Sequence, residues 1–317
     1  MNNTKILVTA RSFGAFDSKA FDLMRQKGFD VLHLKENSKE SLRDQVESHI
    51  SDADGIIAGL ENYNRDLLLK GEKLKAISRY GVGYESVDCD AAHDLGIKVA
   101  ITPGANGDSV ADFAVALMLS AARNIPYMDQ TLKGTNAIRP AGIELWEKTL
   151  GIIGTGRIGL GVAKRLSGFN MRILCHDMYE NEELISNYKA EYTSIEKIVK
   201  ESDFISIHTP LTEVTRNLFN AKAFQKMKRK AVLVNTARGG IINEDDLYDA
   251  LKRGEIAAAA LDVTLEEPYK GKLCELTNCI LTPHAGATTL EASNKMSLMA
   301  AQNLISILET GHCEYLV

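Results

Sequence analysis

The chain of 317 residues is 45% hydrophobic and 25% charged, the composition of an ordinary globular protein with length for two medium domains. Its net charge of −5, with both signs interspersed, leaves no basic stripe of the kind that phosphate backbones attract, so no nucleic-acid partner is expected. MNNTKILVTARS shows neither a signal h-region nor a small-residue cleavage site, and no later apolar run approaches the ~18 residues of a membrane span; no membrane contact and a soluble, cytoplasmic protein are expected.

In chain order, short β-branched apolar runs alternate with longer helical patterns. KILVTA (5–10), FDVLHL (29–34), GIIAG (55–59), LKAISRY (74–80) and IKVAIT (97–102) are predicted strands, separated by amphipathic stretches such as SKAFDLMRQKG (18–28). A long helix pattern with Gly104 and Gly107 at its start follows over 104–124. The alternation restarts at TLGIIG (149–154) and runs through MRILCHD (171–177), FISIHTP (204–210), AVLVNT (231–236), AAAALDV (257–263) and CILTPH (279–284). A second long helix pattern, 288–311, ends the series and is expected to cross back to the first unit. Strands apolar throughout, with helices between them, predict α/β architecture with two doubly wound parallel sheets. Five cysteines (Cys89, Cys175, Cys274, Cys279, Cys313) form no CxxC and lie at no metal-ligand spacing from histidine; they read as reduced structural thiols, with no metal.

The second series carries the most specific chemical signal. LGIIGTGRIGLGVAKRL (150–166) places GxGxxG at Gly154, Gly156 and Gly159, after a predicted strand and at the opening of a predicted helix. In that context the glycines permit a tight turn, backbone approach to a pyrophosphate and close helix packing, and the helix N-terminus holds the phosphates. Asp177, 18 positions after Gly159, ends the next strand. A carboxylate there accepts from ribose hydroxyls and repels a 2′-phosphate, which favours NAD over NADP. The plain alternative is a glycine-rich turn with a surface aspartate.

Three further strand ends add reactive side chains. Arg238 follows VLVNT, where a doubly wound sheet binds its ligands, and a guanidinium matches a carboxylate bidentately at any working pH. LDVTLEEP (261–268) offers Glu266 and Glu267, and LTPHAGATT (281–289) offers His284, the side chain suited to moving a proton near neutral pH when a carboxylate orients it. Each alone reads equally as a surface or structural residue; together, beside a dinucleotide motif, they point to redox chemistry on a small organic acid.

At these residues the chain resembles the D-isomer-specific 2-hydroxyacid dehydrogenases, most closely the phosphoglycerate dehydrogenase branch. The resemblance runs through RYGVGYESVD (79–88), TPGANGDSVAD (102–112), TLGIIGTGRIG (149–159), HTPLTEVTRNL (208–218), NTARGG (235–240), LDVTLEEP (261–268) and TPHAGATT (282–289). It implies a Rossmann-type cofactor domain over 105–287 and a flavodoxin-like substrate domain built from 1–104 with a returning helix over 288–317, with a cleft between them. It implies that Arg238 binds the substrate carboxylate, that His284 is the general acid/base and that Glu267 pairs with it. By the same resemblance Arg157 and Ile158 lie over the pyrophosphate, and His208, Thr209 and Pro210 line the adenine side. Thr236 and Ala237 belong to the cofactor site, Asp262 meets the nicotinamide carboxamide, and Tyr80, Gly81, Val82 and Gly83 supply backbone groups to the substrate carboxylate, with Arg79 beside that turn in the substrate site. A homodimer through the cofactor domain is also implied.

Two departures bear on these expectations. Asp112 stands where the family usually has glutamate, which is expected to alter a helix contact and not the chemistry. Many phosphoglycerate dehydrogenases place an arginine after the third strand to meet the substrate phosphate, whereas GIIAGLENY (55–63) has Ala58, Gly59, Leu60 and Glu61 there. D-3-phosphoglycerate is thus the first substrate by resemblance, with glyoxylate, hydroxypyruvate or a D-lactate-type acid as alternatives. Arg79, Lys133 and Arg139 are the candidate replacement cations. The chain stops at Val317 without the regulatory domain of longer relatives, so serine feedback through one is not expected. A cofactor-sensing binding protein, as in related corepressors, is the alternative of another class.

Overall fold

A computed structural model describes residues 4–35 and 40–317. They form two compact units, one of Met1–Asn106 with Thr288–Val317 and one of Gly107–Ala287.

The first unit holds a parallel sheet of β1 (Lys5–Val8), β2 (Asp30–His33), β3 (Gly55–Ala58), β4 (Ala76–Arg79) and β5 (Lys98–Ala100), in the order β2-β1-β3-β4-β5. This is the flavodoxin-like order, with its switch point between β1 and β3. Period-2 alternation explains why the strands read apolar throughout. Leu7, Ile56, Ile77 and Val99 join one core, and Ile6, Val8, Ile57 and Ala76 join the other. Helix Leu290–Thr310 covers the second face with Ala300, Ala301 and Leu304. Thr289 starts that helix by accepting from the Ala292 amide at 3.0 Å, and Gly311 ends it in the left-handed region at φ 76°.

The second unit holds β6 (Thr149–Ile153), β7 (Arg172–His176), β8 (Glu191–Tyr192), β9 (Phe204–Ile207), β10 (Val232–Asn235), β11 (Ala258–Leu261) and β12 (Cys279–Leu281). All pair in parallel, in the order β12-β11-β10-β9-β6-β7-β8, so the switch point lies between β6 and β9. β10 shows the same two-sided burial: Val232 and Val234 enter one core and Leu233 the other. Helix Gly107–Ala122 packs against helix Arg157–Leu166 so closely that a Cβ on Gly161 would stand 2.9 Å from the Ala111 methyl. Asp112 takes part in that contact: its carboxylate, with that of Asp108, receives the Arg165 guanidinium. β8 has no counterpart among the predicted strands, because a two-residue edge strand in KAEYTS has too few residues to show a period.

Candidate active site

The glycine-rich turn after β6 is built as a cradle. A Cβ on Gly154 would lie 2.4 Å from the His208 carbonyl oxygen, and one on Gly159 would lie 2.1 Å from the Gly154 carbonyl oxygen, so neither position admits a side chain. A Cβ on Gly156 would meet nothing, which marks the open side of the turn. Gly156 also caps helix Arg157–Leu166 without any side-chain bond, so the first amides point outward for an anion; exposed Arg157 and half-buried Ile158 stand at that end. Asp177 closes the turn: its Oδ2 accepts from the Thr155 amide at 2.6 Å and the Thr155 hydroxyl at 3.1 Å, and its Oδ1 from the Met178 amide at 2.6 Å. Open backbone at Gly156, unspent helix amides and a carboxylate one strand along fit a dinucleotide pyrophosphate and ribose.

His208, Thr209 and Pro210 follow β9, the neighbour of β6 across the switch point. The His208 ring is 2.8 Å from the Ser206 hydroxyl and 3.5 Å from that of Thr236, and desolvation lowers its pKa to about 3, so it is neutral and does not exchange protons near pH 7. Thr236 and Ala237 stand at the end of β10. There Asn235, 1% exposed, works in both directions: its Oδ1 accepts from the Ala237 amide at 3.0 Å and its Nδ2 donates to the Arg238 carbonyl at 2.9 Å. The Arg238 guanidinium donates to the Ala237 carbonyl at 2.7 Å. At Gly239 a Cβ would stand 2.0 Å from the Thr264 carbonyl, so the turn after β10 rests directly on the turn after β11.

That second turn carries Glu267. Its Oε2 lies 2.9 Å from Nδ1 of His284, and its Oε1 accepts from the Thr264 amide at 3.4 Å. Burial pushes the Glu267 carboxyl up, but the hydrogen bond and charge of His284, helped by Thr264 and Arg238, outweigh it and leave the pKa lowered. The same bond raises the His284 pKa against desolvation. Arg238, Glu267 and His284 are therefore neighbours in space, and the imidazole keeps Nε2 for another partner. Glu266 contributes its carbonyl, as acceptor from the Thr264 hydroxyl at 2.8 Å.

His284 sits in the left-handed region at φ 53°. Asp262, 2% exposed, holds that turn. Its Oδ1 accepts from the Thr282 hydroxyl at 2.6 Å and the Ala285 amide at 2.8 Å, its Oδ2 from the Gly286 amide at 2.8 Å, and its carbonyl from the His284 amide at 3.0 Å. These bonds of Asp262 go to the histidine turn. Sequence reading missed Asn235, Gly239 and Thr264. The available signal was their position, since each stands in a turn at the carboxyl end of a strand.

In the other unit, Arg79 ends β4 and is 4% exposed. Its guanidinium donates to the carbonyls of Ala58 (2.8 Å), Gly59 and Gly83 (2.8 Å). It therefore ties the turn after β3 to the turn after β4. The Tyr80 hydroxyl donates to the Ser293 carbonyl at 3.1 Å, anchoring the second turn to helix Leu290–Thr310. Among the described residues the amides of Gly81, Val82 and Gly83 have no acceptor, which gives three consecutive donors on one turn. Lys133, a candidate cation of the second unit, pairs at 2.7 Å with Asp129, and Arg139 is exposed.

Comparison with known proteins agrees with this geometry. The family described as D-isomer specific 2-hydroxyacid dehydrogenase, NAD binding domain, matches residues 115–286. A D-3-phosphoglycerate dehydrogenase of Methanocaldococcus jannaschii is 42% identical over 280 residues, covering 87% of this chain but only 53% of that protein. A hydroxypyruvate reductase of Thermotoga maritima is 38% identical over 299 residues, covering 92% of this chain and 95% of its own. The crystal structure of a glyoxylate reductase from Paecilomyes thermophila superimposes with a TM-score of 0.86 at 29% identity, over 100% of this chain and 99% of that one. The chain belongs to the D-isomer-specific 2-hydroxyacid dehydrogenases, NAD-dependent oxidoreductases.

Proposed function

We propose that the chain reduces short, unphosphorylated 2-keto acids with NADH, glyoxylate and hydroxypyruvate being the first to test, and oxidises the matching D-2-hydroxy acids in reverse. The observation that carries this reading is the employment of Arg79. A dianionic phosphate needs cations, yet the Arg79 guanidinium is spent on the carbonyls of Ala58, Gly59 and Gly83, Lys133 is paired with Asp129, and the turn after β3 presents Glu61. D-3-phosphoglycerate, first by overall resemblance, therefore becomes the second choice.

In this reading the Arg238 guanidinium binds the substrate carboxylate and polarises its C2 oxygen, and the amides of Gly81, Val82 and Gly83 are further donors to the carboxylate. Bound nicotinamide supplies the hydride that C2 gains in reduction and takes it back in oxidation. His284 gives a proton from Nε2 to the C2 oxygen in reduction and removes it in oxidation, while Glu267 on Nδ1 fixes the tautomer and stabilises the imidazolium. Asp262 aims the imidazole through the turn it holds. Holding the acid in one orientation supplies up to roughly 7–11 kcal/mol of barrier lowering in favourable systems. Steady-state kcat/KM with NADH decides the substrate: hydroxypyruvate or glyoxylate is expected at least about tenfold above phosphohydroxypyruvate, since a phosphate lacking one charged partner loses a few kcal/mol. A strong phosphate preference rejects the reading.

A homodimer through the cofactor unit is part of the proposal. It is supported by apolar side chains exposed along one segment of that unit: Ile125 (49%), Leu132 (68%), Ile138 (41%) and Trp146 (54%). Sedimentation should give twice the chain mass, and Leu132→Glu should shift it toward monomer. Five cysteines without a disulfide support a reducing, cytoplasmic setting.

A further inference from the structure

The carboxyl edge of the five-stranded sheet holds a hydrogen-bond chain that ends on Glu61. Thr9, just past β1, is fully buried, and its hydroxyl has three partners: the Gly59 amide at 2.8 Å, the Tyr63 hydroxyl at 2.9 Å and Glu61 Oε2 at 2.6 Å. A threonine hydroxyl has one hydrogen and two acceptor positions. The amide can only donate, and Glu61 takes the threonine hydrogen, so Tyr63 must donate to Thr9. Burial raises the pKa of the fully enclosed Tyr63 phenol, which keeps that hydrogen in place. The donor order is then Tyr63 to Thr9 to Glu61, and Glu61 stands at its end as an acceptor. Glu61 is half-buried, and its Oε1 takes no hydrogen bond among the described residues.

The position of this acceptor gives it a use. Thr9 and Gly59 follow β1 and β3, the two strands at the switch point, where open α/β sheets bind ligands. The Arg79 guanidinium bonds to the carbonyls of both Gly59 and Gly83, so one planar group joins the Glu61 turn to the amides of Gly81, Val82 and Gly83. Because β3 and β4 are neighbours, those amides and the Glu61 carboxylate, which is held in place and has an oxygen to spare, stand on adjacent turns of one sheet edge.

We propose that Glu61 is a specificity-determining residue, accepting a hydrogen bond from a hydroxyl on C3 of the substrate and repelling a 3-phosphate. This deepens the reading given above and rests on it: among short 2-keto acids it selects the three-carbon acid with a C3 hydroxyl, hydroxypyruvate, over glyoxylate, which has no C3. The chemistry is that of a site built around a substrate hydroxyl, where loss of either partner leaves the other unpaired.

The experiment measures kcat/KM with NADH for glyoxylate, hydroxypyruvate and phosphohydroxypyruvate in the wild type and in the Glu61→Gln, Glu61→Ala and Thr9→Val variants. Selectivity ratios cancel any general loss of activity, and the glutamine variant keeps nearly the shape of the side chain. In the Glu61 variants the hydroxypyruvate-to-glyoxylate ratio is expected to fall about tenfold or more, and the phosphohydroxypyruvate-to-hydroxypyruvate ratio to rise. Thr9→Val should move both ratios the same way by less. Ratios unchanged in both Glu61 variants overturn the role of Glu61 while leaving the parent reading standing, provided the wild type reduces an unphosphorylated acid. Failure of the wild type to reduce either one removes that reading and this proposal together. A wild-type preference for the phosphorylated acid that disappears in Arg11→Ala, the exposed cation two residues past Thr9, also overturns it, because a cation then governs the distal group.

Discussion

His284 holds its imidazole on a left-handed backbone that non-glycine residues enter at a cost of order 1–3 kcal/mol, and four hydrogen bonds from its turn to Asp262 offset that cost. The consequence is a ring with Nδ1 on Glu267 and Nε2 unspent, the arrangement a proton shuttle needs. His284→Ala should leave NADH binding near normal by fluorescence titration and lower kcat by about 10²–10⁴; wild-type kcat would remove His284 from the mechanism. The effect of Glu267 has a definite sign. Its hydrogen bond is the largest cause of the raised His284 pKa, so Glu267→Gln lowers that pKa. Reduction needs the imidazolium, so its alkaline limb should move to lower pH; oxidation needs the neutral ring, so its acid limb should move to lower pH as well. A pH profile that stays in place would make solvent or another group the partner. Asp262→Asn puts a donor where the turn presents only donors, and should lower kcat well before it affects NADH affinity.

The turns that matter are held by contacts between neighbouring strand ends. Gly239 is the closest of them, and Gly239→Ala would force its new methyl against the Thr264 carbonyl 2.0 Å away. The turn bearing Arg238 must then part from the turn leading to Glu267, at about 1–3 kcal/mol of stability and with lost activity. Unchanged Tm and kcat would show that the two turns move independently. At the glycine turn, Asp177 ties strand β7 to Thr155, and MYENEE (178–183) follows it without an arginine. NADH should be clearly preferred over NADPH, and Asp177→Ala should narrow the preference by weakening NADH more; equal kcat/KM for the two cofactors in the wild type would refute this.

Each unit buries both faces of its own sheet, in two separate cores per unit. No helix among the described residues is long and apolar enough to cross a membrane. The glycine turn proposed for NAD lies wholly within residues 107–287, so cofactor binding is expected to link first to the folding of that unit. NADH at about 100 times its Kd adds about 2.7 kcal/mol to the state that binds it. Hydrogen exchange should therefore slow most in the glycine turn and the start of helix Arg157–Leu166. Protection confined to residues 1–106 would place the cofactor wrongly.

The sequence by itself determined the architecture and the family. Short β-branched runs such as VLV (232–234) and IIA (56–58), apolar at successive positions, point to strands buried on both faces, and their alternation with helical patterns points to parallel sheets. The glycine spacing and Asp177 were legible because each glycine answers a local backbone demand. Tertiary structure decided what each polar side chain is employed to do. That Arg79 bonds three carbonyls of its own unit, and that the oxygens of Asp262 hold the turn of His284, was decided by the fold. Neither fact is visible along the chain. A hydrogen bond depends on which turns the folded sheet sets side by side, and the partners involved lie up to 24 residues away in sequence.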